Sequence, residues 1–511
     1  MAQELQTITI AAPGFFGLNT QDSPIGLNPS FASIADNCVI DQYGRVGARK
    51  GYSAVTTNGA AVLDSSVGVE MVHQYRDDSG DGTILSAGNN KIFSGTTTLV
   101  DETPAGYSIS ANNWKAVNFN DHVFMVQRGY EPLVYSAHTD SAVAMSDHTH
   151  ATGTPPEGNE VLAAFGRLFV ADFAADKSTV YWSDLLDGTA WSGGSTGSLD
   201  VTKHWPNGYD EITALAAHNG SLVIFGKNSI LIYTGAVSPA SMTLSDTISN
   251  IGCIERDTVQ NIGTDLIFLS DAGVRSLART IQEKSAPLRD ISRNVRNDLI
   301  TLLLAETGSI KSVYSPENAF YLLTFPSQDT VYCFDMRSPL EDGSYRATTW
   351  TQINPLCFHR LLDGTLYFGH STGITKYDGY NDGGTGSTYT LSYFSNPLDF
   401  GNAANLKFLK KFTLTIIGGQ NTEATLNWGY DYTESYTKET FTFADKKIAE
   451  YGVSQYNTSI AEYSASIIIN TNTFNGTGNG TVVTVGIEAT VNDAPFSIQK
   501  IDILALLGRL I

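Results

Sequence analysis

The sequence predicts an all-β fold: a β-propeller-like array of about six or seven blades, a C-terminal β-sandwich and one short inserted helix. Three observations lead there. The 511 residues include 47 Gly, 24 Tyr and 24 Phe, and Thr, Ser and Asn recur between short apolar runs, the composition of strands joined by many turns. Period-2 alternation closed by a Gly, Asn or Asp turn returns repeatedly between about residue 70 and residue 380. Beyond that point the texture changes, at the polar, Gly-rich joint Asn381-Asp382-Gly383-Gly384-Thr385-Gly386-Ser387.

Residues 1–60 come first, Pro- and Gly-punctuated and too irregular for a blade. They read as an arm or platform segment that takes its order from the rest of the molecule or from a neighbour. Residues 61–380 carry the hairpins: Thr83 to Gly95, Val123 to Tyr135, Arg167 to Asp184, Leu222 to Gly235, Leu266 to Leu277, Phe320 to Phe334 and Leu366 to Tyr377. In the fourth, Leu222-Val223-Ile224-Phe225 turns at Gly226-Lys227-Asn228 and returns as Ile230-Leu231-Ile232-Tyr233. Successive hairpins start roughly 40 to 55 residues apart, the length of a blade of four short strands. A single hairpin cannot bury its apolar face, so neighbours must stack, and radial stacking closes the array without long bare edges. No WD or kelch signature recurs, so a pair of two-sheet sandwiches is the alternative architecture.

From Asp290 to Glu306, Ile291, Val295, Leu299, Leu302 and Leu303 fall on one face at helical spacing, with Asp290 or Ser292 placed to cap. Arg289, Arg293 and Arg296 lie alongside, read as a solvated face in preference to a basic stripe. Residues 381–511, with strands at Phe412 to Ile417, Ala424 to Trp428 and Ser466 to Asn470, read as the β-sandwich.

Charge and cysteine content exclude several classes. Lys and Arg number 31 against 52 Asp and Glu, net −21, which repels phosphate backbones and anionic membranes. The four cysteines, Cys38, Cys253, Cys333 and Cys357, form no C-x-x-C pair, so neither a disulfide framework nor a zinc site is indicated. Met1 to Ile10 has no basic stretch leading into an apolar core, and the runs Leu299 to Ala305 and Ile503 to Leu507 are far shorter than a membrane span.

Motifs with chemical potential are each outweighed by context, and no catalytic, cofactor or metal residue is expected. Gly193-Gly194-Ser195-Thr196-Gly197 and Gly369-His370-Ser371-Thr372-Gly373 match the serine-hydrolase elbow pattern. The elbow needs a strand before and a helix after, whereas these sit in a Gly/Ser loop and a hairpin turn. His148-Thr149-His150 can chelate a metal, yet Asp147 is the one further ligand nearby in sequence. Asp77-Asp78-Ser79-Gly80-Asp81-Gly82 resembles the start of a calcium loop but lacks its closing Glu. Ser183-Asp184-Leu185-Leu186-Asp187-Gly188-Thr189-Ala190-Trp191 has the wrong spacing for the Asp-box of sialidases, and Trp182 and Trp191 read as blade-core aromatics.

Gly14-Phe15-Phe16-Gly17-Leu18-Asn19 through Pro24, Ala35-Asp36-Asn37-Cys38-Val39-Ile40-Asp41, Gly44 and Arg49-Lys50-Gly51-Tyr52 resemble the start of tail proteins of short-tailed bacteriophages. The hairpin Arg167 to Trp191, the run Leu266 to Val274 and the ending Leu507-Gly508-Arg509 extend the likeness over most of the chain. The family is the tail nozzle, also called tail tubular protein B, with the related phage stabilisation proteins. The resemblance implies a non-enzymatic virion protein without cofactor, made in the bacterial host cytoplasm and built into the tail. It implies a homo-hexamer ring below the tail adaptor protein, carrying tail fibre or spike proteins, through which genomic DNA passes without stable binding. Subunit contacts are expected around Gly17, Asn19, Asn37 and Arg49, and near Gly508 and Arg509. The alternatives are a propeller-based host-glycan or receptor-binding tail protein and, third, a tailspike-like hydrolase.

Overall fold

The computed structural model describes residues 5–24, 26–57, 68–77, 79–80, 82–136, 141–283, 290–384, 386–419, 422–433, 435–442 and 469–510. Six four-stranded blades and one three-stranded sheet form a closed ring. Blade 1 pairs Val69–Arg76, Gly82–Gly88, Lys91–Ser94 and Val100–Asp101; blade 2 pairs Lys115–Phe119, His122–Gln127, Tyr130–Ser136 and Ser141–Ala144. Blade 3 follows with Gly158–Ala164, Arg167–Phe173, Thr179–Trp182 and Gly197–Asp200, and blade 4 with Ile212–His218, Ser221–Gly226, Ser229–Thr234 and Thr243–Ser249. The three-stranded sheet is Gln260–Asn261, Leu266–Ser270 and Gly273–Ser276. Blade 5 is Lys311–Ser315, Phe320–Phe325, Thr330–Asp335 and Arg346–Trp350, and blade 6 is Cys357–Arg360, Leu366–His370 and Gly373–Tyr377 with Tyr52–Ala54 as its outer strand. Six of the seven hairpins expected from alternation are the central pairs of the blades, and the seventh, Leu266 to Leu277, forms the last two strands of the three-stranded sheet.

The alternation has a direct structural meaning, because successive side chains on a strand point to opposite faces and each face is buried against a different neighbour. In blade 4, Leu222, Ile224, Leu231 and Tyr233 pack against Phe169, Val180 and Trp182 of blade 3. The intervening Val223, Phe225, Ile230 and Ile232 pack against Leu266 and Phe268 of the three-stranded sheet. The same division continues around the ring, and it closes where Val69, Val72 and Phe93 of blade 1 meet Cys357 and Ile374 of blade 6. All four cysteines are buried and unpaired within these cores.

Where the fourth strand of the three-stranded sheet would lie, the chain turns helical. Helix α1 is Leu277–Glu283, and a 3-10 turn Arg293–Val295 leads into α2, Arg296–Ala305. The helix expected from Asp290 thus starts later and has a shorter companion before it. Ile291, Val295 and Leu299 are buried, Leu302 and Leu303 are half-buried, and Leu304 is exposed. Neither Asp290 nor Ser292 caps the helix: Asp290 pairs with Arg296, and Ser292 Oγ accepts from the Val274 N–H at 2.9 Å. Arg293 pairs with Asp342 at 2.6 Å, so two of the three flanking arginines make ion pairs, and Arg289 lies outside the described residues.

A β-sandwich is assembled from both ends of the chain, across the boundaries expected at residues 60 and 380. Its first sheet runs Ile469–Asn475, Asn405–Gly418, Phe496–Leu510, Val46–Ala48, Cys38–Ile40, with Leu5–Ala11 also on Phe496–Leu510 and Asn479–Gly480 on Asn405–Gly418. Its second sheet grows directly out of blade 5, as Arg346–Trp350 continues into Gly17–Leu18, Phe31–Asp36, Tyr389–Ser395, Val483–Val491, Glu423–Tyr430 and Thr437–Thr442. The two sheets bury Phe412, Leu414, Ile501 and Ile503 against Leu391, Tyr393, Leu426 and Ile487. The part of the expected strand before Asn470 that covers residues 466–468 lies outside the described residues.

Candidate functional site at the propeller axis

The innermost strands of a propeller converge on its axis, and here three of them carry a charged residue at or near the start. Lys115 opens the inner strand of blade 2, Glu160 lies near the start of that of blade 3, and Lys311 opens that of blade 5. The short turn Arg256–Thr258 occupies the same level before the three-stranded sheet. Lys115 Nζ donates to both oxygens of the fully buried Glu160 at 2.7 Å, and Glu160 Oε1 also accepts from the Leu215 N–H at 3.0 Å, so one carboxylate joins three consecutive blades. Burial pushes the Glu160 carboxyl up, and Lys115 offsets only part of that rise.

Arg256 spans the axis. Its Nη1 donates to Asn159 and its Nη2 to both Asn113 O (2.6 Å) and Asn113 Oδ1 (2.9 Å). Its Nε bonds Asp257 Oδ2 at 3.1 Å, and Lys311 Nζ reaches the same carboxylate at 2.7 Å. Burial alone would raise the Asp257 pKa, but the two cations outweigh it and hold the carboxyl far below the usual range.

This network divides the axial space. One cavity of about 180 Å³ is lined by Glu70, His73, Trp114, Lys311 and His359, and Arg256 and Asp257 form its floor. A second, of about 260 Å³, opens at the end where the inner strands begin, among Arg128, Asp172, Lys177, Glu211, Lys227 and Glu255. In the second cavity Asp172 is paired with Lys177 at 2.7 Å and with Arg128, and Glu211 with Lys227 at 2.9 Å. The carboxylates of Glu70 and Glu255 accept no hydrogen bond from the described residues, and burial raises both, with Asp257 adding to the rise at Glu255. Tyr209 is 64% exposed beside Glu211, to which its hydroxyl donates at 3.3 Å.

The residues singled out in the sequence lie elsewhere. Ser195 sits in the loop before Gly197–Asp200, its hydroxyl donating to Asp184 at 2.6 Å and accepting from Arg167 at 2.7 Å, an arrangement that fastens the loop, with no histidine among its partners in the described residues. His370 to Gly373 is the turn of the central hairpin of blade 6. Asp78 and Asp81 of the acidic run lie outside the described residues. Trp182 is buried between blades 3 and 4, whereas Trp191 is half-buried with its indole N–H on Met145 Sδ at 3.0 Å.

The positions expected at subunit contacts are mostly interior. Gly17, at φ 77°, is packed so tightly that an added Cβ would stand 2.4 Å from the Ala347 carbonyl oxygen. Asn19 Oδ1 accepts from the Gln21 and Asp22 N–H groups at 3.2 and 3.0 Å, and Asn37, at φ 53°, donates to Thr390 O at 3.0 Å. Arg49, fully buried, forms a two-point bond to Asp382 (2.8 and 2.6 Å), donates to Asn37 Oδ1 at 2.8 Å and lies 4.1 Å from the Tyr389 ring centre. Gly17, Asn37 and Arg49 thus tie the arm to residues beyond 340, whereas the Asn19 side chain closes a turn within the arm. Gly508 is half-buried in the strand Phe496–Leu510, and the side chain of Arg509 lies outside the described residues. The axial charges were not legible in the sequence, since Asn113, Asn159, Arg256 and Lys311 come together only when the ring closes.

No protein-family model and no curated protein matches the chain. Among solved structures, the extracellular domain of BT4673 from B. thetaiotaomicron aligns at 12% identity and TM-score 0.41 over 65% of this chain and 40% of that one. A second structure of that domain is covered to 48%, so the chain spans less than half the length of either. Streptogramin B lyase aligns at 11% identity and TM-score 0.37 over 64% of this chain and 97% of its own, and the WD40 domain of Neurospora crassa Pan2 at 10% and 0.37 over 65% and 95%. The propeller assignment therefore rests on the strand pairings within this chain.

Proposed function

We propose that the chain is a non-enzymatic docking and building unit, and within that class a subunit of the tail nozzle ring of a short-tailed phage. One observation carries the reading. The residues through which the chain resembles nozzle proteins, Gly17, Asn37, Arg49 and Gly51 among them, are those that fasten the N-terminal strands to blade 5, blade 6 and the sandwich. The shared motif thus encodes the rigid joint between propeller and sandwich, the property a wall element needs. A net charge of −21 suits a duct that must let a polyanion slide without retaining it. In this reading the protein forms a homo-hexamer with the adaptor, carries fibres or spikes, and lets DNA through its centre. The test is sizing of the purified protein alone and with virion components, followed by DNA retention on the assembled ring at low salt. Ring formation without tight retention is expected; a chain that stays monomeric with every tail component, or a ring that holds DNA firmly, overturns it.

A second reading is favoured by the wider axial cavity. Its alternating charges, the Glu255 carboxylate, which accepts no hydrogen bond from the described residues, and the exposed Tyr209 bonded to the lining Glu211 are groups that recognise a polar, polyhydroxylated ligand such as a host surface glycan. Incubation with host polysaccharide separates the readings: retention without cleavage, weakened by Glu255→Gln, supports the binder, and depolymerisation would mark a hydrolase.

A further inference from the structure

Three segments distant in sequence meet on the face of the propeller between blades 2 and 3. The turn between the first two strands of blade 2 brings His122, the excursion after Ser141–Ala144 brings His148 and His150, and the outer loop of blade 3 brings Leu186 and Asp187. The segments are fastened to one another: the Trp191 N–H donates to Thr152 O at 2.8 Å, and Asn120 Nδ2 donates to Leu186 O. Together they line a cavity of about 130 Å³. The sequence offers only the pair His148 and His150 with Asp147; the fold replaces Asp147 with a third imidazole.

Ring centres of His122 and His148 are 5.2 Å apart, and those of His148 and His150 are 5.7 Å apart. An imidazole ligating at about 2.0–2.1 Å places its ring centre about 3.2 Å from the ion, so two rings at a tetrahedral angle stand about 5 Å apart. Both spacings, each shared by His148, are close to that of two rings on a common ion. In the present rotamers no three such groups among the described residues close on one point. His150 is exposed and His148 half-buried, so both rings can turn without disturbing a core. His122 is already oriented: its Nδ1 faces Asn120 O at 2.7 Å, a contact that places the proton on Nδ1 and leaves Nε2 as the free donor atom. Asp187, whose Oδ1 is engaged by Thr189, lines the same cavity and supplies counter-charge.

We propose that His122, His148 and His150 bind one divalent transition ion of the zinc type, which staples the excursion after blade 2 to the turn between the first two strands of that blade. Three imidazoles suit zinc, cobalt or nickel and not magnesium or calcium. The site is independent of the axial cavities, so its fate does not depend on either functional reading.

The experiment titrates untagged, chelator-treated protein with Co²⁺ alone, read by visible absorption and calorimetry, with Zn²⁺ added afterwards. One Co²⁺ per chain, displaced by Zn²⁺ and giving the intense bands of a four-coordinate ion, is expected. His122→Ala and His148→Gln should each weaken binding by more than about tenfold, the loss that even outer partners of metal sites produce. Melting curves recorded without metal should match the unaltered protein, which separates loss of a ligand from loss of the fold. Absence of saturable binding overturns the proposal, as does binding that His122→Ala leaves unchanged, since the latter means loose chelation by His148 and His150 only.

Discussion

Arg49 shows how one side chain can hold two parts of a molecule. Its guanidinium is fully buried and every donor is engaged, by Asp382, Asn37, Thr351 O and Lys50 O. Removing one partner leaves a desolvated charge unpaired, which costs about 3–5 kcal/mol, while removing both costs less. Arg49→Met and Asp382→Leu should each lower stability in urea unfolding by that order, and the double substitution by less than either one; additive losses would show that the pair is not coupled. The sequence displays Arg49-Lys50-Gly51-Tyr52 as a motif but not its meaning, because Asp382 lies far along the chain. An arginine that reads as a surface contact is placed inside by a carboxylate that only the fold brings near. Gly51 was similarly opaque: an added Cβ there would stand 2.0 Å from the Asn381 carbonyl oxygen.

Between elements, the seam that closes the ring contains a pair of histidines. His73 on the inner strand of blade 1 and His359 on that of blade 6 have ring centres 5.1 Å apart, and His359 Nε2 accepts from the Gln74 N–H at 3.0 Å, which requires a neutral ring. Burial lowers the His73 pKa to about 4 and, with the neighbouring imidazole adding to it, that of His359 to about 3. Both values lie below the ordinary value of 6.5, so between these limits the unfolded chain binds more protons than the folded one. Stability contributed by the seam is therefore complete above pH ~6.5 and falls as pH drops from there toward ~4, by roughly 1.4 kcal/mol per unit for each group. Melting temperatures measured at pH 7.5, 6 and 5 should fall with acid, and His73→Leu should flatten the dependence; an unchanged slope would place the acid sensitivity elsewhere. The central hairpins of the blades were readable from period-2 alternation, as at Leu222 and Val223, which must face opposite neighbours in any stacked sheet, but the inner strands Val69–Arg76 and Cys357–Arg360 that carry this pair were not. The shortest strands, Val100–Asp101 at the outside of blade 1 and Gln260–Asn261 at the inside of the three-stranded sheet, carry too little apolar pattern to announce themselves.

At the scale of the whole molecule, the chain's two ends are mutually dependent. Tyr52–Ala54 completes blade 6, and Gly17–Leu18 and Phe31–Asp36 join blade 5 to strands from beyond residue 389. A chain lacking residues 1–56 would leave blade 6 with three strands and expose the inner faces of Leu391 and Tyr393. It should be insoluble or rapidly proteolysed, whereas a truncated chain with one sharp melting transition would show that the arm is dispensable. The sequence marks a change of texture near residue 380 and an irregular start, and both are real as patterns. It does not reveal that these two stretches are one sandwich, because strand pairing between residues hundreds of positions apart leaves no local trace.

The ten-stranded sheet that begins in blade 5 and ends at Thr437–Thr442 has no linker at the point where ring becomes sandwich. The crossing is narrow, a single rung from Gly17 to Ala347 and another from Asp36 to Thr349, so a sandwich that shifts must either drag blade 5 with it or shear at those two rungs.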